Sequence, residues 1–431
     1  MSTAPVGLAR MEEEQMKHRV AMAAIVMMAI VATACSGGAT SSPSSPGAST
    51  PAASGSVASA EAPSASAPNL PTAVGAGEGE LTVLAWPGYA ENGSTDPKVN
   101  WVKPFEDKTG CKTNVQVFGT SDEAFSLFTT NPTKFDVISA SGDASLRLVR
   151  AGYVQPVNTD LVKNYADIFP ALKDKPYNTV DGVHYGIPHG RGSNLLMWRT
   201  DKVTPAPTSW AEMFDPSKPW AGKVSVYNAP IYIADAAVVL MKTKPELNIK
   251  NPYALDDTQF QAAVDLLKAQ KPAIGQYWTD YTLQEQAFSK GDALIGTTWQ
   301  VITNLLQAET PPVPVKVIKP VEGATGWSDT WMINSKTSHL NCAYLWLDYI
   351  VSPSVNAQVA SWFGEAPANS KSCALTPADQ SNCDIFYAAD DAFWKDVWYW
   401  QTPEAKCVDG RTDVQCKDFD AWSKAWTDIK G

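Results

Sequence analysis

Residues 81–93 read LTVLAWPGYAENG, a short apolar run that stops at Trp86, Pro87, Gly88 and Tyr89. The run has the composition of a buried strand, and the turn behind it delivers two large aromatics to the strand's carboxyl edge. Open α/β sheets bind ligands at that edge, so the pair is a candidate ligand wall. The next segments set the sheet type. VNWVKPFEDKTG, from Val99, reads as an amphipathic helix ended by Gly110, with Pro104 near its start or at a kink. KTNVQVF is a second strand, SDEAFSLFTT a helix capped by Ser121, and FDVISAS a third strand. DASLRLVRAG is then a helix that Asp143 would cap and Gly152 would end. Strand and helix alternating at this spacing predict βαβ units and a mainly parallel sheet.

The pattern changes at HYGIPHGRGSNLLMWRTD (184–201), where the apolar strand NLLMWR follows a glycine-rich bend and leads to the Pro-rich TPAPTSWAEMFDP. The first crossing into a second domain is expected there. KVSVYNAPIYIADAAVVLMKTK reads as strand, turn, helix, and TLQEQAFSKGDALIGTTWQVITNLLQA as helix, strand, helix. VPVKVIKPVEGATGWSDTWMINSKT then returns the chain to the first domain through WSDTWMI. The fold class expected is α/β with two lobes, each a mainly parallel sheet flanked by helices, and a cleft at the hinge. Residues 80–190 and 328–372 are assigned to lobe 1, and residues 191–327 and 373–431 to lobe 2.

Not all of the 431 residues belong to the fold. Lys17, His18 and Arg19 precede the apolar run Val20–Ala34, which ends at Cys35. The run is short for a membrane span and has the shape of a secretory signal, with small residues before a cysteine as at a lipoprotein cleavage site. Residues 1–35 are therefore expected to be a signal peptide with lipidation at Cys35. Acidic Glu12, Glu13 and Glu14 suit such a signal poorly, which places the expected start at Met16. Residues 36–79, nearly all Ser, Ala, Pro, Gly and Thr, read as a tether that cannot bury enough apolar surface to order itself. The remaining length suggests two domains outside the cytoplasmic membrane.

A net charge of −11 argues against nucleic acid and towards cationic partners. Apart from Cys35, six cysteines remain in an oxidising compartment, and six allow 15 pairings between which sequence does not choose. Short spacing favours Cys373–Cys383 and Cys407–Cys416. Cys111–Cys342 would then close a long loop, a constraint of about 4 kcal/mol in the chain-entropy model. No CxxC pair exists. His184 and His189 flank YGIP without sharing a helical face, so neither a metal nor another cofactor is expected.

The ordered set LTVLAWPGY, FEDKTGCKTNVQ, FDVISASGDASLRLVRAGYVQPVN, VHYGIPHGRGSNLLMWRTD, APTSWAEMFDP, NAPIYIADAA and GWSDTWMI resembles the extracellular solute-binding proteins of polyamine (spermidine/putrescine) ABC importers. The likeness runs from Leu81 to about Asn369. It implies a monomeric receptor that captures a cationic polyamine without chemistry and presents it to a membrane permease served by a separate ATPase. The receptor would be extracytoplasmic, touching the membrane by its lipid alone.

A polyamine site needs aromatic walls for methylenes and carboxylates for ammoniums. By the resemblance, Trp86, Tyr89, Ser141, Trp299, Trp327 and Asp329 match ligand-contacting positions. Asp143 stands where spermidine receptors carry an aromatic, and either grips an ammonium or caps its helix. The family's two second-lobe acids align with NAPIY, giving Ala229 and Tyr232, with Asp235 one turn on as the substitute. Glu365 lies where a ligand-contacting Tyr is expected. Arg191 would be an odd cation in such a slot unless it pairs with an acid or reads a ligand carboxylate. The competing readings are a receptor for a γ-aminobutyrate-like amine or a sugar, and an extracellular hydrolase. No GxSxG, HExxH or GxxxxGK motif is present, although a glycosidase would need only two carboxylates.

Overall fold

The computed structural model describes residues 70–375 and 382–431. The expected signal peptide, the expected lipidation site at Cys35 and residues 36–69 of the expected tether lie outside the described residues. Residues 70–79, read as tether, are instead held on the fold: the Gly75 N–H donates to Asn341 Oδ1 at 2.7 Å, and the Glu78 carboxylate accepts from the Cys342 N–H at 2.8 Å. Among the described residues the strands run β1 (Glu80–Ala85), β2 (Lys112–Val117), β3 (Val137–Ala140), β4 (Thr179–Val180), β5 (Val183–His184), β6 (Gly186–Pro188), β7 (Gly190–Ser193) and β8 (Leu195–Arg199). They continue β9 (Val224–Tyr227), β10 (Ile274–Trp278), β11 (Ile295–Thr298), β12 (Val315–Ile318), β13 (Ala324–Trp327), β14 (Thr330–Ile333), β15 (Ala366–Pro367) and β16 (Val397–Tyr399).

Two five-stranded sheets repeat one plan. The first has the order β2-β1-β3-β14-β6 and the second β10-β9-β11-β8-β12. Three strands of each pair in parallel, as the βαβ reading requires. The other two pair antiparallel, because they belong to the segments that carry the chain across the hinge. Each sheet is thus mixed rather than mainly parallel along one side. Strands β3, β9 and β11 are buried throughout, as expected of sheet centres covered on both faces.

A third sheet, β15-β7-β13-β16, is made of the crossings themselves. Here the GRGS stretch is a strand, not the expected bend. Its glycines make room for two side chains from neighbouring strands. A Cβ on Gly190 would lie 2.4 Å from the Glu365 Cδ, and one on Gly192 would lie 2.2 Å from the Trp327 ring. Strand β16 runs parallel to β13, with Gly326 facing Tyr399. The C-terminal helix Phe419–Lys430 then buries Trp422, Trp426 and Ile429 in the core of the second sheet.

Two helix starts differ from expectation. Thr120, not Ser121, caps helix Ser121–Thr130, accepting from the Glu123 N–H at 3.1 Å. Ser141 is the extended residue before helix Gly142–Arg150, so Asp143 lies inside the first turn and receives a hydrogen bond from the Ser121 hydroxyl instead. Helix Val102–Thr109 ends at left-handed Gly110 with Pro104 near its start, as its sequence predicts.

All three expected disulfides are present: Cys111–Cys342, Cys373–Cys383 and Cys407–Cys416. The first ties the start of β2 to helix Leu340–Ile350 across 231 residues. Replacing Cys111 and Cys342 together by Ser should lower stability by about 5 kcal/mol, because the denatured chain regains that long loop's freedom. The midpoint of denaturant unfolding under non-reducing conditions checks this; an unchanged midpoint refutes it.

Candidate functional site

The turn after β1 is closed by the Tyr89 N–H donating to the Trp86 carbonyl at 3.1 Å. It sends the two rings to different tasks. Trp86 stays partly exposed, packs on Phe118 with ring centroids 4.6 Å apart, and donates from Nε1 to the Ser141 hydroxyl at 3.2 Å. Tyr89 is fully buried, and its hydroxyl reaches the hinge. There it lies 2.7 Å from Asp329 Oδ2 and 3.0 Å from Glu365 Oε2.

Both acids are set by the crossing segments. Asp329 occupies the link between β13 and β14, where its carbonyl accepts from the His189 N–H at 2.9 Å. Glu365 follows Gly364, whose left-handed conformation ends helix Pro353–Phe363 and turns the chain into β15. Asp329 is 3 % exposed and Glu365 0 %, and no Lys or Arg forms an ion pair with either among the described residues. Among the described residues Asp329 Oδ1 and Glu365 Oε1 have no hydrogen-bond partner. Burial therefore pushes both acids up: Asp329 to about 6, opposed by nearby Ser141 and Tyr89, and Glu365 well above the usual carboxylate range, with the charge of Asp329 adding to the rise.

His189 completes the group. Its Nδ1 accepts from the Trp331 indole N–H at 2.9 Å, so a neutral ring carries its proton on Nε2, 3.4 Å from Glu365 Oε1. Burial lowers its pKa to about 3, which keeps it uncharged. Sequence reading assigned His189 no part here; its position beside the buried IPHG strand end was the available signal. His184, by contrast, pairs with Asp174 at the surface. Among the described residues no cluster of His, Cys, Asp and Glu could hold a metal ion.

Rings continue from this group across the hinge. Tyr89 packs on Phe363 (4.6 Å between centroids), Phe363 on Trp327 (5.9 Å), and Trp327 on Trp299 (6.4 Å). Phe363 was missed by sequence reading; an aromatic directly before a helix-ending glycine was its only mark. Trp299 is held by its indole N–H on Asn194 Oδ1 at 3.0 Å. Trp327, Trp299, Gly192, Ser193, Gly364 and Tyr387 line a small hollow beside the hinge.

The structure thus brings Trp86, Tyr89, Ser141, Trp327, Asp329 and Glu365 into one connected group, with Trp299 at its far side. Asp143 lies apart on its helix, with burial and the Asp122 charge pushing it up to about 7. Tyr232 is in the core of the second sheet, its hydroxyl 3.2 Å from Gln270 Oε1. Asp235 accepts hydrogen bonds from the Tyr227 and Thr325 hydroxyls, and burial raises it to about 7. Arg191 turns away from the acids: it reaches the Tyr399 hydroxyl at 3.0 Å and the Ala388 carbonyl, and lies over the Trp394 ring at 4.2 Å.

The family profile described as bacterial extracellular solute-binding protein matches residues 100–391. The chain belongs to that family. This solute-binding protein is 20 % identical over 330 residues to the spermidine/putrescine-binding periplasmic protein of Escherichia coli (strain K12), covering 74 % of this chain and 90 % of that one. It is 24 % identical over 309 residues to the putrescine-binding periplasmic protein PotF of the same strain, covering 67 % of this chain and 80 % of that one. A solved structure, described as a putative spermidine/putrescine ABC transporter from Listeria monocytogenes, superposes with a TM-score of 0.65 at 17 % identity, over 82 % of this chain and 99 % of that chain. That likeness establishes the two-lobed periplasmic-binding-protein fold. No helix among the described residues of this solute-binding protein is long and apolar enough to cross a membrane.

Asp235 offers a test of these electrostatics. With its folded pKa near 7 and an unfolded value near 4, the native state binds its proton more tightly than the unfolded chain does. Its contribution therefore favours the fold at low pH and is lost as pH rises from about 4 to about 7. Asp235→Asn should narrow the stability difference between about pH 5 and about pH 8 in chemical denaturation. An undiminished difference rejects the assignment.

Proposed function

We propose that this protein is the extracytoplasmic receptor of an ABC importer and captures a cationic amine of the putrescine/spermidine class. One observation carries the reading: two buried carboxyls, Asp329 and Glu365, converge on the Tyr89 hydroxyl with no cationic side chain paired to them. A buried acid pair without a counter-charge is costly, and an ammonium from the ligand supplies that charge. The rings of Phe363, Trp327 and Trp299 then cover the methylenes and add cation–π attraction. Trp86 and Ser141 form the outer wall beside Asp329, while Asp143, Tyr232 and Asp235 support the lobes at a distance from the bound amine.

The names of the relatives, spermidine/putrescine-binding and putrescine-binding, point to the same chemistry. A γ-aminobutyrate-like ligand is less well served, because Arg191, the nearest candidate for its carboxylate, is already occupied by Tyr399, Ala388 and Trp394. A sugar would use the rings but leave both acids without a counter-charge. The protein binds without turnover. The amine is taken up when the lobes, 80–190 with 328–372 and 191–327 with 373–431, part at the hinge, and closure presents a surface to the permease. A separate ATPase powers transport. A lipid on Cys35 and the Ser/Ala/Pro/Gly tether keep the monomer at the membrane.

A thermal-shift panel of putrescine, spermidine, γ-aminobutyrate and glucose tests the ligand class. An amine at about 100 times its Kd should add about 2.7 kcal/mol of stability. Asp329→Asn should weaken amine binding by about 2–5 kcal/mol, as removal of one partner from a buried charge pair does. If neither di- nor polyamine shifts the melting curve, the reading fails.

A further inference from the structure

The three groups at the hinge do not have enough protons to satisfy one another as drawn. Tyr89 has a single hydroxyl hydrogen, yet its oxygen lies within hydrogen-bond distance of two carboxyl oxygens. Given along the shorter contact, that hydrogen goes to Asp329 Oδ2 at 2.7 Å. The 3.0 Å approach of Glu365 Oε2 would then set lone pair against lone pair, unless Glu365 itself donates. Among the described residues the nearby donors point elsewhere: the Ser141 hydroxyl bears on Asp329, not on the Tyr89–Glu365 contact. His189 Nε2 faces the other oxygen, Oε1, at 3.4 Å, and the Asn356 amide donates to the His189 carbonyl. Gly190 offers backbone alone, and Arg191 is directed at Tyr399 and Ala388.

We propose that in the ligand-free protein Glu365 is a carboxylic acid donating to the Tyr89 oxygen, and that a ligand ammonium displaces this proton to solvent. The exchange rests on the amine reading above. It conserves charge: Glu365–COOH and R–NH3+ become a Glu365 carboxylate paired with R–NH3+, and one proton passes to the buffer. Glu365 thereby stands as a specificity residue. A neutral solute has no charge with which to displace the proton, so the acid meets it uncharged.

Titration calorimetry with putrescine, repeated in buffers of different ionisation enthalpy near neutral pH, counts the proton. About one should leave per ligand bound, and affinity should rise about tenfold per pH unit while the free protein retains the proton. Glu365→Gln keeps the shape and the neutral donor, so this variant should bind more weakly and release none. In infrared difference spectra of the ligand-free proteins, a carboxylic-acid carbonyl band should be present in the wild type and lost in Glu365→Gln. Putrescine binding without proton release overturns the exchange and leaves the amine reading intact. Failure of any amine to bind overturns both, and absence of the infrared band overturns the protonated Glu365 on its own.

Discussion

Two carboxyl groups meeting at one phenol in a buried hinge constrain the rest of this molecule. Asp329 and Glu365 are drawn from segments far apart in sequence and fixed on Tyr89, which comes from a third. Their convergence requires both crossings to run side by side, and the hydrogen bond from His189 N–H to the Asp329 carbonyl holds those crossings together. In water such a triad would be unremarkable. Inside the hinge, where Tyr89, Asp329 and Glu365 have almost no exposure, unbalanced charge dominates its chemistry.

The glycine content of β7 follows from the same constraint. Two of its four residues are glycines, and each faces a site residue at a distance that no Cβ would tolerate. Gly190 admits the Glu365 carboxyl and Gly192 admits the Trp327 ring. The strand therefore serves as the floor against which acid and ring are seated, and it gives up side-chain packing of its own to do so. The neighbouring sheets carry the core that compensates, with clusters around Trp331 and Trp346 on one side and Trp278 and Trp422 on the other.

Much of this was legible in the sequence. The alternation from Leu81 to Gly152 was readable because β1 and β3 are apolar enough for the sheet interior, β2 alternates as the half-exposed edge strand KTNVQV, and turn or cap residues separate the elements. WPGY marked a strand edge, and W-x-D at residues 327–329 marked the return crossing. What resisted reading has physical causes. Thr120 and Ser121, like Ser141 and Asp143, are neighbouring cap-competent residues, and only backbone dihedrals decide between them. GRGS lacks strand-forming side chains, so its strand character comes wholly from partners on β13 and β15. His189 and Phe363 have no motif; each matters only because the fold seats it against Tyr89.

Arg191 shows how the C-terminal segment completes the electrostatics. The residue follows Gly190 directly, and a guanidinium beside Glu365 would satisfy the acid internally. Strand β16 and the turn around Ala388 prevent this. The Tyr399 hydroxyl and the Ala388 carbonyl accept from the guanidinium, and the Trp394 face covers it. The same segment continues over the first lobe, where the Thr402 hydroxyl donates to the Asp143 carbonyl and Glu404 pairs with Arg150. It then returns to the second, where the Lys417 N–H donates to the Leu255 carbonyl. The C-terminal segment thus takes up the one guanidinium that lies beside Gly190, and the hinge acids are left without an ion pair to Lys or Arg among the described residues.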